Sequence, residues 1–207
     1  MVLATLLGRF IFKVAARRWG EETADLPMVL EPPVDPEVDH IRGPEDAQLT
    51  LVEYVDFECA YCAHATGSWD DLRAHFGDDL RYVVRQLPHH PHGPLAARAS
   101  EAASNQGMFW PWLDVVFARQ HALEREDLIG YAAGLGLDID QFIADLDSPA
   151  VVGRVERDLI SAVASGAHTT PTFFVEGRRL RGSYDARTLT AALEASRRGP
   201  RTQEVPS

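Results

Sequence analysis

Cysteine and lysine are both scarce in this chain of 207 residues. Its two cysteines stand only three positions apart, so they cannot form the disulfide framework that staples small secreted domains. Acidic residues outnumber basic ones by 31 to 20, and the net charge of −11 argues against a nucleic-acid-binding protein, which needs a basic surface. Apolar residues make up 45% of the chain, an ordinary share for one globular domain.

The two cysteines form the motif Cys59-Ala60-Tyr61-Cys62. The apolar run over residues 49–57 predicts a buried strand before the motif, and the residues after it predict a helix. Cys59 should then lie at the helix N-terminus, where unpaired N–H groups and the helix dipole stabilise a thiolate. Cys62 belongs to the core-facing side, so we expect an exposed attacking sulfur and a sheltered resolving sulfur. The apolar face of the predicted helix consists of Cys62, Ala65, Trp69, Leu72 and Phe76.

Two other interpretations of the cysteine pair stay open. The pair could supply half of a zinc site, but a structural zinc needs further ligands and no other cysteine exists, although the cluster of His89, His90 and His92 could complete it. The pair could also form a static disulfide, although a bridge that closes so short a loop restricts the unfolded chain only weakly. A redox-active dithiol is the favoured interpretation.

A second motif lies about a hundred residues later, at residues 169–179. Pro171 precedes an apolar strand, where proline costs no ladder hydrogen bond, and a Glu176-Gly177 turn leads to another strand. An ordinary trans proline at the start of a strand is the alternative to a cis one. Between the motifs, residues 80–87 predict a second strand and residues 95–165 predict several short helices, while Asp185 predicts the N-cap of a last helix.

The two motifs together resemble the bacterial disulfide oxidoreductases of the DsbA kind, in the thioredoxin superfamily. Residues 53–62 and 166–177 carry this resemblance, which extends over about residues 48–197. It implies an α/β thioredoxin fold with an all-helical insertion at about residues 92–165, between the second strand and the cis-proline strand. It also implies that Pro171 is the cis-proline, that Thr170 precedes it, and that both contact the substrate together with Tyr61.

Glu53 is an acid in the middle of the predicted central strand, where burial is costly without a purpose. The resemblance implies that Glu53 moves the proton of Cys62 during exchange, whereas a solvent-facing Glu53 on an alternating strand is the alternative. Asp56 and Glu58 are expected to be exposed acids. Tyr61 stands where strongly oxidising relatives carry a histidine, so the couple is expected to be less oxidising.

The N-terminal residues have a different character. Residues 1–19 predict an amphipathic helix, because apolar residues recur at helical spacing and Arg9, Lys13 and Arg17 share the other side. Such a helix suits a membrane interface but is too short and too charged to span a bilayer. No signal-peptide cleavage site follows. Residues 20–46 predict an acidic, proline-rich linker, residues 47–198 the thioredoxin domain, and residues 199–207 a disordered tail.

The segment around residues 39–44 also resembles the junction at which NhaA-type sodium–proton antiporters are fused to a thioredoxin-like domain. This resemblance implies that residues 1–18 are a transmembrane remnant, which contacts an anionic membrane or the antiporter. Positive charges after the apolar stretch favour the cytoplasmic face or the cytoplasm. The alternative is a helix packed on the domain's own surface.

The sequence therefore predicts a thiol–disulfide oxidoreductase with Cys59, Cys62 and Glu53 as catalytic residues. Its expected partners are protein thiols and disulfides and a protein that recycles its redox state, without a cofactor, a metal or nucleic acid. A non-catalytic redox sensor that regulates a membrane partner such as a sodium–proton antiporter is the alternative from another class. A glutathione-using enzyme of the same fold is less favoured, because such enzymes need only one active-site Ser or Cys.

Overall fold

The computed structural model describes residues 28–198. The predicted N-terminal helix, the first part of the predicted linker and the predicted tail lie outside these residues. The elements are strands β1 (His40–Arg42), β2 (Leu49–Val55), β3 (Leu80–Gln86), β4 (Thr172–Val175) and β5 (Arg178–Arg179), and helices α1 (Ala60–Thr66), α2 (Trp69–Phe76), α3 (Gly93–Ser104), α4 (Phe109–Phe117), α5 (Arg125–Gly134), α6 (Ile139–Leu146), α7 (Pro149–Ala164) and α8 (Ala186–Arg197). A 3-10 turn, Gly77–Asp79, precedes β3.

The strands form one sheet in the order β1-β3-β2-β4-β5. The central pair β2 and β3 is parallel, whereas β1, β4 and β5 join it antiparallel. Six of the seven β2 residues are buried, as its apolar sequence predicts for a strand covered on both faces. The predicted helical insertion is present as the five helices α3 to α7.

Side chains of β2 alternate between two cores. Leu51 and Val55 join the larger cluster, which packs against α1, α2, α8 and the insertion helices. Val52 and Tyr54 face the opposite side of the sheet, where the smaller cluster includes Ala162 of α7. The last helix has the predicted N-cap, because the Asp185 carboxylate accepts the N–H of Thr188 at 2.9 Å.

The helix predicted after the cysteines is broken into two, α1 and α2. The break falls at Gly67-Ser68, and a glycine–serine pair is a common place for a helix to kink. The predicted apolar face survives the break, since Cys62, Ala65 and Trp69 are all buried against the same core.

The described part of the predicted linker packs on the domain instead of standing apart from it. Its strand β1 pairs with β3, and Asp39 forms a fully buried ion pair with Arg85 at 2.8 Å. The Arg85 guanidinium also donates to the carbonyl oxygens of Pro32 and Pro33 at 2.9 and 3.0 Å. A proline-rich stretch keeps its carbonyl groups free to accept such bonds, a tertiary role that composition does not indicate.

Candidate active site

Cys59 is the N-cap of α1, as the sequence predicts. Its N–H donates to the Asp56 carbonyl at 3.0 Å, and its own carbonyl accepts the N–H of Cys62 at 3.0 Å. These bonds turn the chain sharply between the end of β2 and the helix. The turn places Cys59 at the helix N-terminus, where the first backbone N–H groups have no partner within the helix.

Both cysteines are free thiols, and both are buried. The exposed fraction is 5% for Cys59 and 0% for Cys62, so the attacking sulfur is more enclosed than the sequence suggests. The Cys59 sulfur lies 3.4 Å from the carbonyl oxygen of Thr170, a residue from the other end of the chain that helps to cover it. Tyr61, between the two cysteines, is 66% exposed.

The two thiols have opposite acidities. The hydrogen bond from the Cys62 thiol lowers the pKa of Cys59 to about 5. Thr170 and the backbone N–H groups of Cys62 and Tyr61 act in the same direction, and together they outweigh the effect of burial. Burial, the Cys59 thiolate and the nearby Glu53 carboxylate raise the pKa of Cys62 far above its ordinary value. At neutral pH only Cys59 is therefore a thiolate, and only the thiolate is nucleophilic.

Glu53 lies on the same face of β2 as the dithiol-bearing core and is 1% exposed. The alternative of a solvent-facing Glu53 is therefore wrong. Burial raises the pKa of Glu53 to about 8, and the hydrogen bond from the Tyr82 hydroxyl only partly offsets this effect. A carboxyl group with this pKa can both give and take a proton near neutral pH.

The loop that carries Pro171 enters β4 beside the cysteines. The peptide bond between Thr170 and Pro171 is cis, and the Thr172 hydroxyl donates to the Thr169 carbonyl at 2.6 Å. Phe173 of β4 lies opposite Glu53 of β2 in the antiparallel register. This register brings the loop to the edge of the sheet where β2 ends and the cysteine motif begins.

The prediction that Asp56 is an exposed acid is wrong. Asp56 is 1% exposed, and its carboxylate accepts the backbone N–H groups of Glu58, His89 and His90 at 2.7–3.0 Å. Burial opposes ionisation, but these hydrogen bonds prevail and lower the pKa of Asp56. A Cβ at Gly93 would lie 2.6 Å from this carboxylate, so the close approach requires glycine.

The loop that carries His89, His90 and His92 bonds to Asp56 and does not complete a metal site with the cysteines. Asp56, His89 and His90 offer potential ligand atoms within 4.8 Å of one another, and within residues 28–198 neither cysteine belongs to such a group. The ring of His90 already contacts the Asp56 carboxylate at 2.9 Å. The carboxylate thus anchors the loop beside the cysteine motif.

Two further residues, which no sequence motif predicts, hold the site together. The Gln120 side-chain amide, which follows α4 in the insertion, donates to the carbonyl oxygens of Phe57 and Cys59 at 2.7 and 2.8 Å. Tyr82 of β3 donates its hydroxyl to Glu53. No motif marks Gln120 or Tyr82, because each acts through contacts between distant segments.

Comparisons with known proteins give the family and the fold of the chain. The family model described as Thioredoxin matches residues 35–195. A protein named Na(+)/H(+) antiporter NhaA from Herminiimonas arsenicoxydans is 89% identical over 207 residues, which are all of this chain and 33% of that protein. The chain thus spans about a third of the length of the curated relatives that it matches.

Solved structures give the same fold. A thioredoxin-like oxidoreductase from Silicibacter pomeroyi has a TM-score of 0.73 at 26% identity, covering 80% of this chain and 95% of that one. The oxidoreductase DsbA from Xylella fastidiosa has a TM-score of 0.63 at 22% identity, covering 75% and 89%. The predicted thioredoxin fold and the predicted resemblance to DsbA-like proteins and to NhaA-associated domains are confirmed.

The opposite acidities of the two thiols lead to a labelling prediction. We expect iodoacetamide to modify Cys59 of the reduced protein much faster than Cys62, with a rate that rises through a midpoint near pH 5. Replacing Cys62→Ala, which removes the hydrogen bond to the thiolate, should move that midpoint upward. Peptide mapping after timed labelling measures both rates. Equal rates, or a midpoint near the free-cysteine value of about 8.5, would show that the thiolate is not stabilised.

Proposed function

Because the chain belongs to the thioredoxin family, we propose that it is a thiol–disulfide oxidoreductase acting on protein thiols and disulfides. One observation carries the proposal: the Cys59 sulfur lies 3.4 Å from the Thr170 carbonyl, with Cys62 buried behind it. This arrangement combines a nucleophilic thiolate, a second thiol to resolve an intermediate, and a backbone against which a substrate chain can lie. The proposed catalytic residues are Cys59, Cys62 and Glu53.

The exchange begins when the Cys59 thiolate attacks one sulfur of a substrate disulfide. A new bond forms between the two sulfurs, the substrate S–S bond breaks, and the other substrate sulfur leaves as a thiolate. Cys62 then gives up its proton and attacks the Cys59 sulfur. The second substrate thiolate leaves, the substrate has gained two electrons, and the protein holds a Cys59–Cys62 disulfide. The reverse sequence oxidises a substrate dithiol, and a redox-recycling partner restores the starting state.

Glu53 is proposed to move the proton of Cys62. Cys62 has a raised pKa and is buried away from water, so it needs an internal group to receive its proton when it attacks. The Glu53 carboxylate can receive that proton and return it in the reverse direction, because the pKa of Glu53 is about 8. Tyr82 holds the carboxyl group in place through its hydroxyl.

Thr170, Pro171 and Tyr61 are proposed to hold the substrate chain. All three line a groove that begins beside the dithiol. The exposed Tyr61 ring lies 6.4 Å from the ring of Tyr184, edge to face, and forms one wall. A substrate sulfur bonded to Cys59 would place its own backbone along Thr170 and Pro171.

A redox sensor for an antiporter is the second candidate function. The 89% identical relative is named Na(+)/H(+) antiporter NhaA, and this chain corresponds to a third of its length. A module joined to a transporter could report the redox state through the same dithiol, and residues 1–18 are the proposed contact with the antiporter or an anionic membrane at the cytoplasmic face. Within residues 28–198, no helix has both the length and the apolar character needed to cross a bilayer.

Turnover distinguishes the two functions. With a fluorogenic disulfide substrate and excess dithiol reductant, we expect each chain to convert many substrate molecules, because the reductant reduces the Cys59–Cys62 disulfide after each turnover and restores the Cys59 thiolate. The Cys59→Ser variant should show only the background rate. A burst of one substrate per chain followed by that background rate would contradict the enzyme and support the sensor.

The role of Glu53 leads to a second prediction. Glu53→Gln should slow the attack of Cys62 on the mixed disulfide by about 10²-fold, a typical contribution of a positioned general base. In the wild type this step should accelerate as pH rises through about 8, where Glu53 becomes a carboxylate, and the variant should lack that acceleration. Release of the second substrate thiol in a single-turnover experiment measures the step.

Asp71→Asn is the matched control for Glu53→Gln, because it neutralises an exposed carboxylate on the neighbouring helix α2. Its resolution rate should equal that of the wild type. A Glu53→Gln variant that resolves the mixed disulfide at the wild-type rate and keeps the pH dependence would show that another group carries the proton.

A further inference from the structure

The groove beside the active site has a defined shape. It extends from Tyr61 and the Thr170–Pro171 loop toward residues 179–184 and encloses about 520 Å³. This volume falls in the range of small-ligand sites and suffices for several side chains of an extended peptide. Thr170 both lines the groove and contacts the Cys59 sulfur, so a chain joined to that sulfur has direct access to the groove.

The charge of the groove is opposite to that of the protein. The chain has 31 acidic residues and a net charge of −11, yet among residues 28–198 the lining contains Arg179 and Arg181 and no carboxylate. Asp185 lies nearby, beside Ser183, but its carboxylate caps α8 by accepting the N–H of Thr188 at 2.9 Å. The groove is therefore a local cationic site on an acidic protein.

Within the described part of the chain, neither arginine pairs with a carboxylate. Arg179 donates to the Gly166 carbonyl at 2.6 Å, and Arg181 donates to the Met28 sulfur, a weak acceptor, at 3.4 Å. Across residues 28–198, the two guanidinium groups form no ion pair with a carboxylate, whereas Arg85 and Arg98, for example, do.

The two arginines also repel one another, since burial and the charge of Arg181 both lower the pKa of Arg179. A carboxylate bound between the arginines would relieve this repulsion. The planar guanidinium fork matches a carboxylate closely, which makes arginine the usual residue for recognising one.

We propose that this groove selects disulfide substrates that carry a carboxylate next to the reacting cysteine, with Arg181 and Arg179 as the recognising groups. The inference rests on the proposed exchange function and adds a substrate class to it. Two sources offer this chemistry: an acidic side chain that flanks a cysteine in a protein, and the carboxylates of glutathione disulfide. The sulfur chemistry is unchanged, and the arginines act only in binding and positioning.

Three peptide disulfides of equal length test the proposal on the full chain. Each carries two Glu, two Gln or two Lys residues beside its cysteine, and glutathione disulfide is a fourth substrate. We expect kcat/KM to be about tenfold higher for the Glu peptide than for the Gln peptide, lower still for the Lys peptide, and the preference to weaken with salt. Arg181→Ala should remove most of the preference, so that the Glu and Gln peptides react at nearly the same rate.

Arg178→Ala is the matched control. Arg178 precedes Arg179 on β5, so its side chain points to the other face of the strand, and it does not line the groove. The control should keep the full preference, and Arg181→Lys should keep part of it. If only glutathione disulfide responds to Arg181→Ala, the tripeptide is the source of the carboxylate.

The possible failures are distinct. Equal rates on the Glu and Gln peptides, together with an unchanged rate on glutathione disulfide in Arg181→Ala, would overturn the groove proposal and leave the exchange function intact. An equal loss of preference in Arg178→Ala and Arg181→Ala would also overturn it, because overall charge would then explain the selectivity. Absence of exchange with every substrate, including the neutral peptide, would overturn the proposed function and this inference with it.

Discussion

The candidate site depends on one contact between two distant parts of the chain. The Cys59 sulfur meets the Thr170 carbonyl across 111 positions of sequence. The contact exists because β4 pairs with β2 in a register that places Phe173 opposite Glu53. A one-residue slip of that register would turn every β4 side chain to the other face of the sheet and move the loop away from the sulfur. Sheet register thus sets the position of the reactive group.

Around that contact, burial separates the acidities of three groups. The Cys59 thiolate receives hydrogen bonds, and its pKa of about 5 keeps it ionised at neutral pH. Cys62 and Glu53 receive too little compensation for burial, so each holds its proton more tightly than in water. The result is one thiolate, one thiol that keeps its proton and one carboxyl group that titrates near neutral pH, which are the acidities that the proposed roles of nucleophile, resolving thiol and proton carrier require. Such separation of neighbouring titratable groups is typical of catalytic sites.

Local features of the fold could be predicted from the sequence. The apolar run of β2, the cysteine at the start of α1 and the Asp185 cap each depend on neighbours within a few positions. The burial of Glu53 could be inferred only through the resemblance to a known family, since the strand pattern alone left a solvent-facing alternative open. The glycine–serine pair at residues 67 and 68 could have predicted the break between α1 and α2. The apolar residues on both sides keep helical spacing across it, however, and so they predict one continuous helix.

The remaining features depend on partners far away in sequence. The carboxylate of Asp56 is buried because it accepts backbone N–H groups more than thirty positions further along the chain. Without those partners, an acid next to the cysteine motif is expected to be exposed. Residues 28–42 resemble a linker in composition, and the buried Arg85 that donates to two of their carbonyl oxygens lies in another strand. Gln120 acts from the helical insertion on the cysteine turn. Tertiary contacts of this kind leave no local pattern.

The central claim is that the Cys59–Cys62 pair is a reversible redox couple, and two features act on its potential in opposite directions. The stabilised Cys59 thiolate favours the reduced form, whereas Tyr61 in place of a histidine makes the couple less oxidising. The most direct measurement is the reduction potential at pH 7 by equilibration with glutathione buffers. The account predicts an intermediate value, between about −150 and −230 mV. A pair that forms no disulfide in any buffer, or a value at the DsbA extreme near −120 mV or below the thioredoxin value near −270 mV, would contradict it.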